Sequence, residues 1–177
     1  KLLTRDVQSF LWEGVSTTVE NELLVIHLMG HGIVENGKWY FLPSDYDPNL
    51  PETRIPASYL LRVLSHAKGP VVLIIDSCFS GAISLEAAGT KLDLAVITSV
   101  MADQEAQIEK NEYYRRSYGL FSMCWSRACY AAAYKGKQFN LLQRLIDTQI
   151  LVEAYRDKRL RQHALVAIPP RTQMPYW

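Results

Sequence analysis

Val71-Val72-Leu73-Ile74-Ile75 is an unbroken apolar run that stops abruptly at Asp76-Ser77-Cys78. Alternating apolar and polar residues mark a strand with one wet face. A run without alternation suits a strand covered on both faces, as in the parallel sheets of α/β proteins. Leu23-Leu24-Val25-Ile26-His27-Leu28 has nearly the same character and stops at Met29-Gly30-His31-Gly32, and residues 92–100 supply a third run. Strands buried between two helical layers leave room for chemistry at their ends, and open α/β sheets keep their sites at the C-terminal ends. Two of these ends carry an imidazole, His31, and a thiol, Cys78.

The segments between the runs are less uniform. Thr4 stands where a helix N-cap belongs, Asp6 favours the first turn, and Val7, Phe10, Leu11 and Val15 follow at helical spacing. Asn36-Gly37, between Gly32-Ile33-Val34 and Lys38-Trp39-Tyr40-Phe41-Leu42, is a two-residue hairpin signal. Residues 43–56 are rich in Pro, Asp, Asn and Ser and read as a surface loop. Residues 58–66 carry Leu60, Leu61, Val63 and Leu64, a short amphipathic helix stopped by Gly69-Pro70. Residues 81–91, full of small side chains, read as less ordered, and the polar stretch 102–118 reads as a loop. Residues 120–134 and 139–155 read as helices, and 163–168 as a last strand broken by Pro169-Pro170. Strands alternating with helices favour a mostly parallel sheet with helices on both faces.

A length of 177 residues with 49% hydrophobic content fits one domain, residues 1–177, with a sizeable core. Lys and Arg number 19 against 18 Asp and Glu, a net charge of +1, which argues against a nucleic-acid stripe or a polybasic membrane patch. The local basic cluster at residues 156–161 reads as a solvated helix end. No apolar run approaches a membrane span, and no signal peptide opens the chain. Cys78, Cys124 and Cys129 are odd in number and lack disulfide or zinc spacing, so a reducing, cytoplasmic setting is expected. His27 and His31 are four residues apart on a strand, without a glutamate between them, which is not a zinc-peptidase helix. No metal site and no cofactor are expected. Cys124 and Cys129 sit beside Met123, Trp125 and Tyr130 on a helical segment and read as core.

A thiol attacks as the thiolate, so a nucleophilic cysteine needs a group that takes its proton, commonly an imidazole. The stretch from His31 to Cys78 holds a hairpin, a loop, a helix and a return strand, enough for one crossover that sets both tips on the same sheet edge. Glycines on either side of His31 let a substrate carbonyl approach the backbone, and the N–H groups of Gly32 and Cys78 are candidates to face a developing oxyanion. Gly81 would allow a sharp turn after the nucleophile.

Leu28-Met29-Gly30-His31-Gly32 and Ile75-Asp76-Ser77-Cys78-Phe79-Ser80-Gly81 resemble the two signatures of caspase-like cysteine peptidases, nearest to the metacaspase and bacterial orthocaspase branch. Tyr40-Phe41-Leu42-Pro43-Ser44-Asp45, Thr98-Ser99-Val100-Met101-Ala102-Asp103-Gln104-Glu105-Ala106 and Gly119-Leu120-Phe121-Ser122 resemble further segments of that branch. The resemblance implies a caspase-like α/β/α sandwich with a mostly parallel central sheet. It implies a cysteine endopeptidase of regulated proteolysis, cell death or defence signalling. His31 is then the general base and Cys78 the nucleophile, and the substrate is a protein or peptide. Asp76 matches an acidic floor of the S1 pocket, which implies cleavage after Arg or Lys, with Ser99 lining the same pocket. Asp76 also fits a plainer role, a strand-end carboxylate that caps nearby N–H groups.

Departures from the branch are visible as well. Met29 stands where a serine is common, and a first strand and helix expected upstream of Thr4 are absent, so a longer protein with regulatory or sensor parts is expected. Calcium dependence occurs in part of the branch, but only Asp45, Asp47 and Glu52 gather carboxylates in one loop here. Arg115-Arg116 reads as a self-cleavage site or an ordinary basic pair. Two rivals remain open: a catalytically weak scaffold that kept the fold, and an esterase or amidase that uses the same dyad.

Overall fold

The computed structural model describes residues 2–20, 22–90, 92–111, 116–138, 140–155 and 162–167. The three apolar runs form β1 (Leu24–Met29), β5 (Val71–Asp76) and β6 (Leu94–Thr98), hydrogen-bonded side by side and parallel. β9 (Leu165–Ala167) adds antiparallel to β6, so the main sheet runs β1-β5-β6-β9. Every residue of β5 and β6 is buried, as their lack of alternation requires.

Helices cover both faces. Val71, Leu73 and Ile75 of β5 and Leu94 and Val96 of β6 pack with α1 (Thr4–Ser16), α2 (Ala57–Leu64) and α3 (Ala82–Ala88). Val72, Ile74, Ala95 and Ile97, the residues between them, pack with α4 (Leu120–Tyr134) and α5 (Leu141–Tyr155). A strand's period of two thus feeds two separate cores, one on each side of one sheet. Edge strand β1 is less covered: Ile26 and Leu28 are buried, while Val25, His27 and Met29 on the opposite face stay exposed.

The Asn36-Gly37 signal is a hairpin turn with both residues left-handed, φ 51° and 72°, the geometry that matches strand twist. It joins β2 (His31–Glu35) to β3 (Lys38–Leu42), and β3 pairs with β4 (Ile55–Pro56) in a separate antiparallel sheet. The expected surface loop 43–56 therefore holds a 3-10 turn at Pro51–Thr53 and ends as a strand.

Three local readings need correction. Thr4 is inside α1 and Leu3 is its N-cap. A distant carboxylate has claimed Thr4: its N–H and hydroxyl both donate to Asp45 Oδ1, at 2.8 and 2.9 Å, while Asp6 accepts the Leu3 N–H at 3.0 Å. The stretch 81–91 contains α3, whose small residues Ala82, Ser84 and Ala87 sit buried beside Ile83 and carry little amphipathic signal. The supposed loop 102–118 contains an antiparallel ribbon, β7 (Ile108–Asn111) with β8 (Arg116–Gly119). The basic cluster 156–161, Arg115, Phe139 and the end of the last strand at residues 168–170 lie outside the described residues. No helix among the described residues is long and apolar enough to cross a membrane.

Candidate active site

Parallel pairing in step brings the two strand ends together. Met29 lies opposite Asp76 in the β1–β5 register, and the Gly30 N–H donates to the Asp76 carbonyl at 3.1 Å. Two residues beyond each strand end, His31 and Cys78 line one cleft of about 130 Å³ with Met29, Gly30, Asp76 and Gly119. Ala106, Gln107, Ile108 and Tyr118, from the β7–β8 ribbon and the loop before it, form its other wall. No hydrogen bond joins the His31 and Cys78 side chains, and such bonds commonly tighten only with substrate in place.

The turn that carries Cys78 is held from three sides. Trp39, fully buried on β3, donates its indole N–H to the Cys78 carbonyl at 3.2 Å, and the Ser77 hydroxyl donates to the same oxygen at 3.3 Å. Gly32 lies flat against this arrangement: a Cβ there would stand 2.6 Å from the Cys78 carbonyl oxygen and 2.7 Å from the Ser77 hydroxyl. The Phe79 N–H donates to the Gln104 carbonyl at 2.7 Å. The residue that makes the sharp turn is Phe79, left-handed at φ 58°, and not Gly81, which is helical at φ −57°. A bulky residue in that region costs about 1–3 kcal/mol, so the surrounding contacts must hold it there.

Gln104 also reaches the lead-in to β9. Its amide oxygen accepts the His163 N–H at 3.0 Å, and the Gln107 N–H donates to the Gln162 side chain at 2.9 Å. The lead-in to β9 thus pins the loop that walls the cleft.

Asp76 is 2% exposed, and its two oxygens fare differently. Oδ2 accepts the Ser122 N–H at 2.8 Å, in the first turn of α4, where the helix leaves N–H groups unpaired and its dipole favours an anion. Oδ1 is buried without a hydrogen-bond partner, in a residue that lines the cleft. The capping role and a free acceptor therefore coexist in one carboxylate. Gly119, just before α4, allows this approach, since a Cβ there would overlap the Asp76 carboxylate.

His27 lies one turn of the pleat below Met29, on the same strand face. Its Nε2 and the Ser122 Oγ are 2.9 Å apart. Although the residue keeps an exposed side, desolvation by the neighbouring protein lowers its pKa from 6.5, with the Asp76 charge pulling the other way.

Ser99 does not line the cleft. It is fully buried, its hydroxyl directed at the Ser77 carbonyl at 3.5 Å. Asp45 is occupied by Thr4, and Asp47 Oδ1 accepts two donors from Asn49, so these loop carboxylates act as local acceptors. Among the described residues no group of acidic, histidine and cysteine side chains could hold a metal ion. Cys124 is fully buried, and burial pushes the Cys129 thiol above its ordinary pKa, with the Arg144 charge opposing. The residues missed from sequence were Trp39, Tyr118, Gly119, Ser122, His27 and the wall 106–108. Ala106, Gly119 and Ser122 stood within segments that resemble the branch; for the rest no short-range pattern pointed to the site.

No known protein-family profile matches the chain, and no curated protein matches it. Solved structures do: 58 chains match, among them protein GSU0716 from Geobacter sulfurreducens, with a TM-score of 0.54. That superposition is 12% identical in sequence and covers 96% of this chain and 75% of the other. It speaks for a shared fold.

Proposed function

We propose that the chain is a caspase-like cysteine endopeptidase that cuts after Arg or Lys. The observation that carries the reading is one cleft lined by His31, Cys78 and Asp76, a buried carboxylate with one unpaired oxygen. An anionic acceptor already desolvated gains most from a guanidinium or ammonium that completes its hydrogen bonds. A neutral ester or amide would leave that oxygen unpaired, which favours a peptide with a basic residue over the esterase alternative.

In this reading His31 takes the proton from the Cys78 thiol. The thiolate sulfur then attacks the carbonyl carbon of the scissile bond, and the carbonyl π electrons move onto oxygen. The Gly32 and Cys78 N–H groups face the oxyanion. Pairing alternates along an antiparallel ladder, and with Glu35 and Lys38 closing the hairpin, Gly32 falls at a position whose N–H points away from β3. Collapse breaks the C–N bond, and the leaving amine takes the proton from the imidazolium. Water, deprotonated by His31, attacks the thioester; the Cys78 sulfur leaves and is reprotonated. Asp76 holds the basic side chain throughout.

The test is a set of fluorogenic peptides with Arg, Lys, Asp or a neutral residue before the reporter, with mass spectrometry to locate the thiol alkylated by iodoacetamide. Arg and Lys peptides are expected to turn over, Asp peptides not, and Cys78→Ala to abolish turnover. Asp76→Ala should remove the basic preference. Full activity in Cys78→Ala would end the proposal, and a fully folded wild type that cleaves none of the peptides would favour the scaffold alternative.

A further inference from the structure

His27 is a titratable side chain beside this site that the proposed chemistry leaves unused. It shares a sheet face with Asp76: its register partner is Ile74, two residues before Asp76, and both strands present these positions toward the start of α4. Ser122 is the meeting point. Its N–H donates to Asp76 Oδ2 at 2.8 Å, and its Oγ is 2.9 Å from His27 Nε2. A helix's first N–H groups have no partner within the helix, so the turn is free to tilt unless something outside fixes it. The Leu120 N–H is held by the Gln107 carbonyl at 2.9 Å, and His27 holds the next accessible handle, the Ser122 hydroxyl. With Ser122 fixed, Oδ2 is engaged and Oδ1 is the oxygen left over.

We propose that His27 is a positioning residue for recognition of a cationic side chain: through Ser122 it fixes the α4 turn that orients the Asp76 carboxylate. The inference rests on the reading of Asp76 as the receptor for a basic group. It assigns no proton transfer to His27, which touches neither the scissile bond nor Cys78. Its lowered pKa keeps the imidazole neutral near pH 7, suited to a hydrogen bond with a hydroxyl rather than to a second charge beside Asp76.

The experiment titrates agmatine, a free guanidinium ligand, into Cys78→Ala protein by calorimetry. His27→Leu should weaken binding about five- to tenfold, the size expected for one lost neutral hydrogen bond, while His27→Gln, which keeps an amide within reach, should stay within about twofold. Ser122→Ala keeps the N–H and loses the hydroxyl, so it should match His27→Leu, and the double variant should lose no more than either alone. In protein that retains Cys78, KM for an Arg peptide should rise by the same factor in His27→Leu with kcat little changed. Agmatine binding unaltered by His27→Leu, equal losses in the Leu and Gln variants, or additive losses with Ser122→Ala would each overturn the inference alone. Failure of the Cys78→Ala parent to bind agmatine would instead remove the reading of Asp76, and the role of His27 with it.

Discussion

Gly119→Ala adds one methyl group at the most crowded point of the site. The new Cβ would stand 2.7 Å from Asp76 Cγ and 3.2 Å from Oδ1, and would overlap Oδ2. The backbone itself accepts alanine, with φ −60° and ψ 132°. Relief can come in two ways. The carboxylate can rotate, which breaks its 2.8 Å bond from the Ser122 N–H, a charged hydrogen bond worth about 1.5–3 kcal/mol. Alternatively the start of α4 can withdraw, which loosens Leu120 and Phe121, both fully buried, an overpacking strain of about 1–3 kcal/mol. Replacing glycine also restricts the unfolded chain and returns about 0.4–1 kcal/mol. The net expectation is a loss of about 1–2 kcal/mol, whichever route is cheaper. Urea denaturation measures it, with Gly89→Ala as the control: that glycine has φ −78° and its nearest contact is the Glu86 carbonyl oxygen at 3.5 Å, so the same change there should be neutral or stabilising. In an Asp76→Ala background the cost of Gly119→Ala should largely vanish. A Gly119→Ala protein as stable as wild type, or an equal loss in both backgrounds, would refute the claim that Gly119 exists to admit the carboxylate.

Trp39→Phe removes the indole N–H from the Cys78 carbonyl and should cost about 1–3 kcal/mol in urea denaturation, with an altered rate of Cys78 alkylation; no change in either would show that Trp39 serves packing alone. Leu73→Ala, at a fully buried position in the middle of β5, should cost about 2–5 kcal/mol, whereas Val25→Ala, 52% exposed on β1, should stay within about 0.5 kcal/mol. Desolvation raises the Asp45 pKa, but the hydrogen bonds from Thr4 outweigh it and leave the carboxyl below its ordinary 3.8. A depressed folded pKa gives stability that is present above pH 3.8 and lost as pH falls through the folded value. Asp45→Asn should therefore flatten the acid side of a stability–pH curve below that point, and a curve of unchanged slope would remove Asp45 from the anchoring of α1.

The sheet and the placement of His31 and Cys78 beside one cleft were legible because their signals are local and redundant. Three apolar runs without alternation allowed little but strands covered on both faces, and His31 and Cys78 each followed such a run directly. Asn36-Gly37 fixed the hairpin, since few other pairs tolerate two left-handed residues in succession. α3 was hidden because Glu86 is its one charged residue among alanines, Ile83, Ser84 and Leu85, too few polar side chains to betray its period. The β7–β8 ribbon was hidden because its strands sit outside the main sheet, where polar composition resembles that of a loop.

By itself, the sequence settled which side chains stand at the strand ends, because a strand's length and burial are written in consecutive residues. Only the tertiary structure decided what each does to its neighbours. Thr4 gave up an N-cap for a carboxylate 41 positions away, and Ser99 turned inward to the Ser77 carbonyl. Asp76 was joined by Ser122, and Ser122 by His27, from distant parts of the chain. The physical reason is range: propensity and periodicity act over a few residues, whereas a buried polar group takes whichever partner folding brings within about 3 Å, at any separation along the chain.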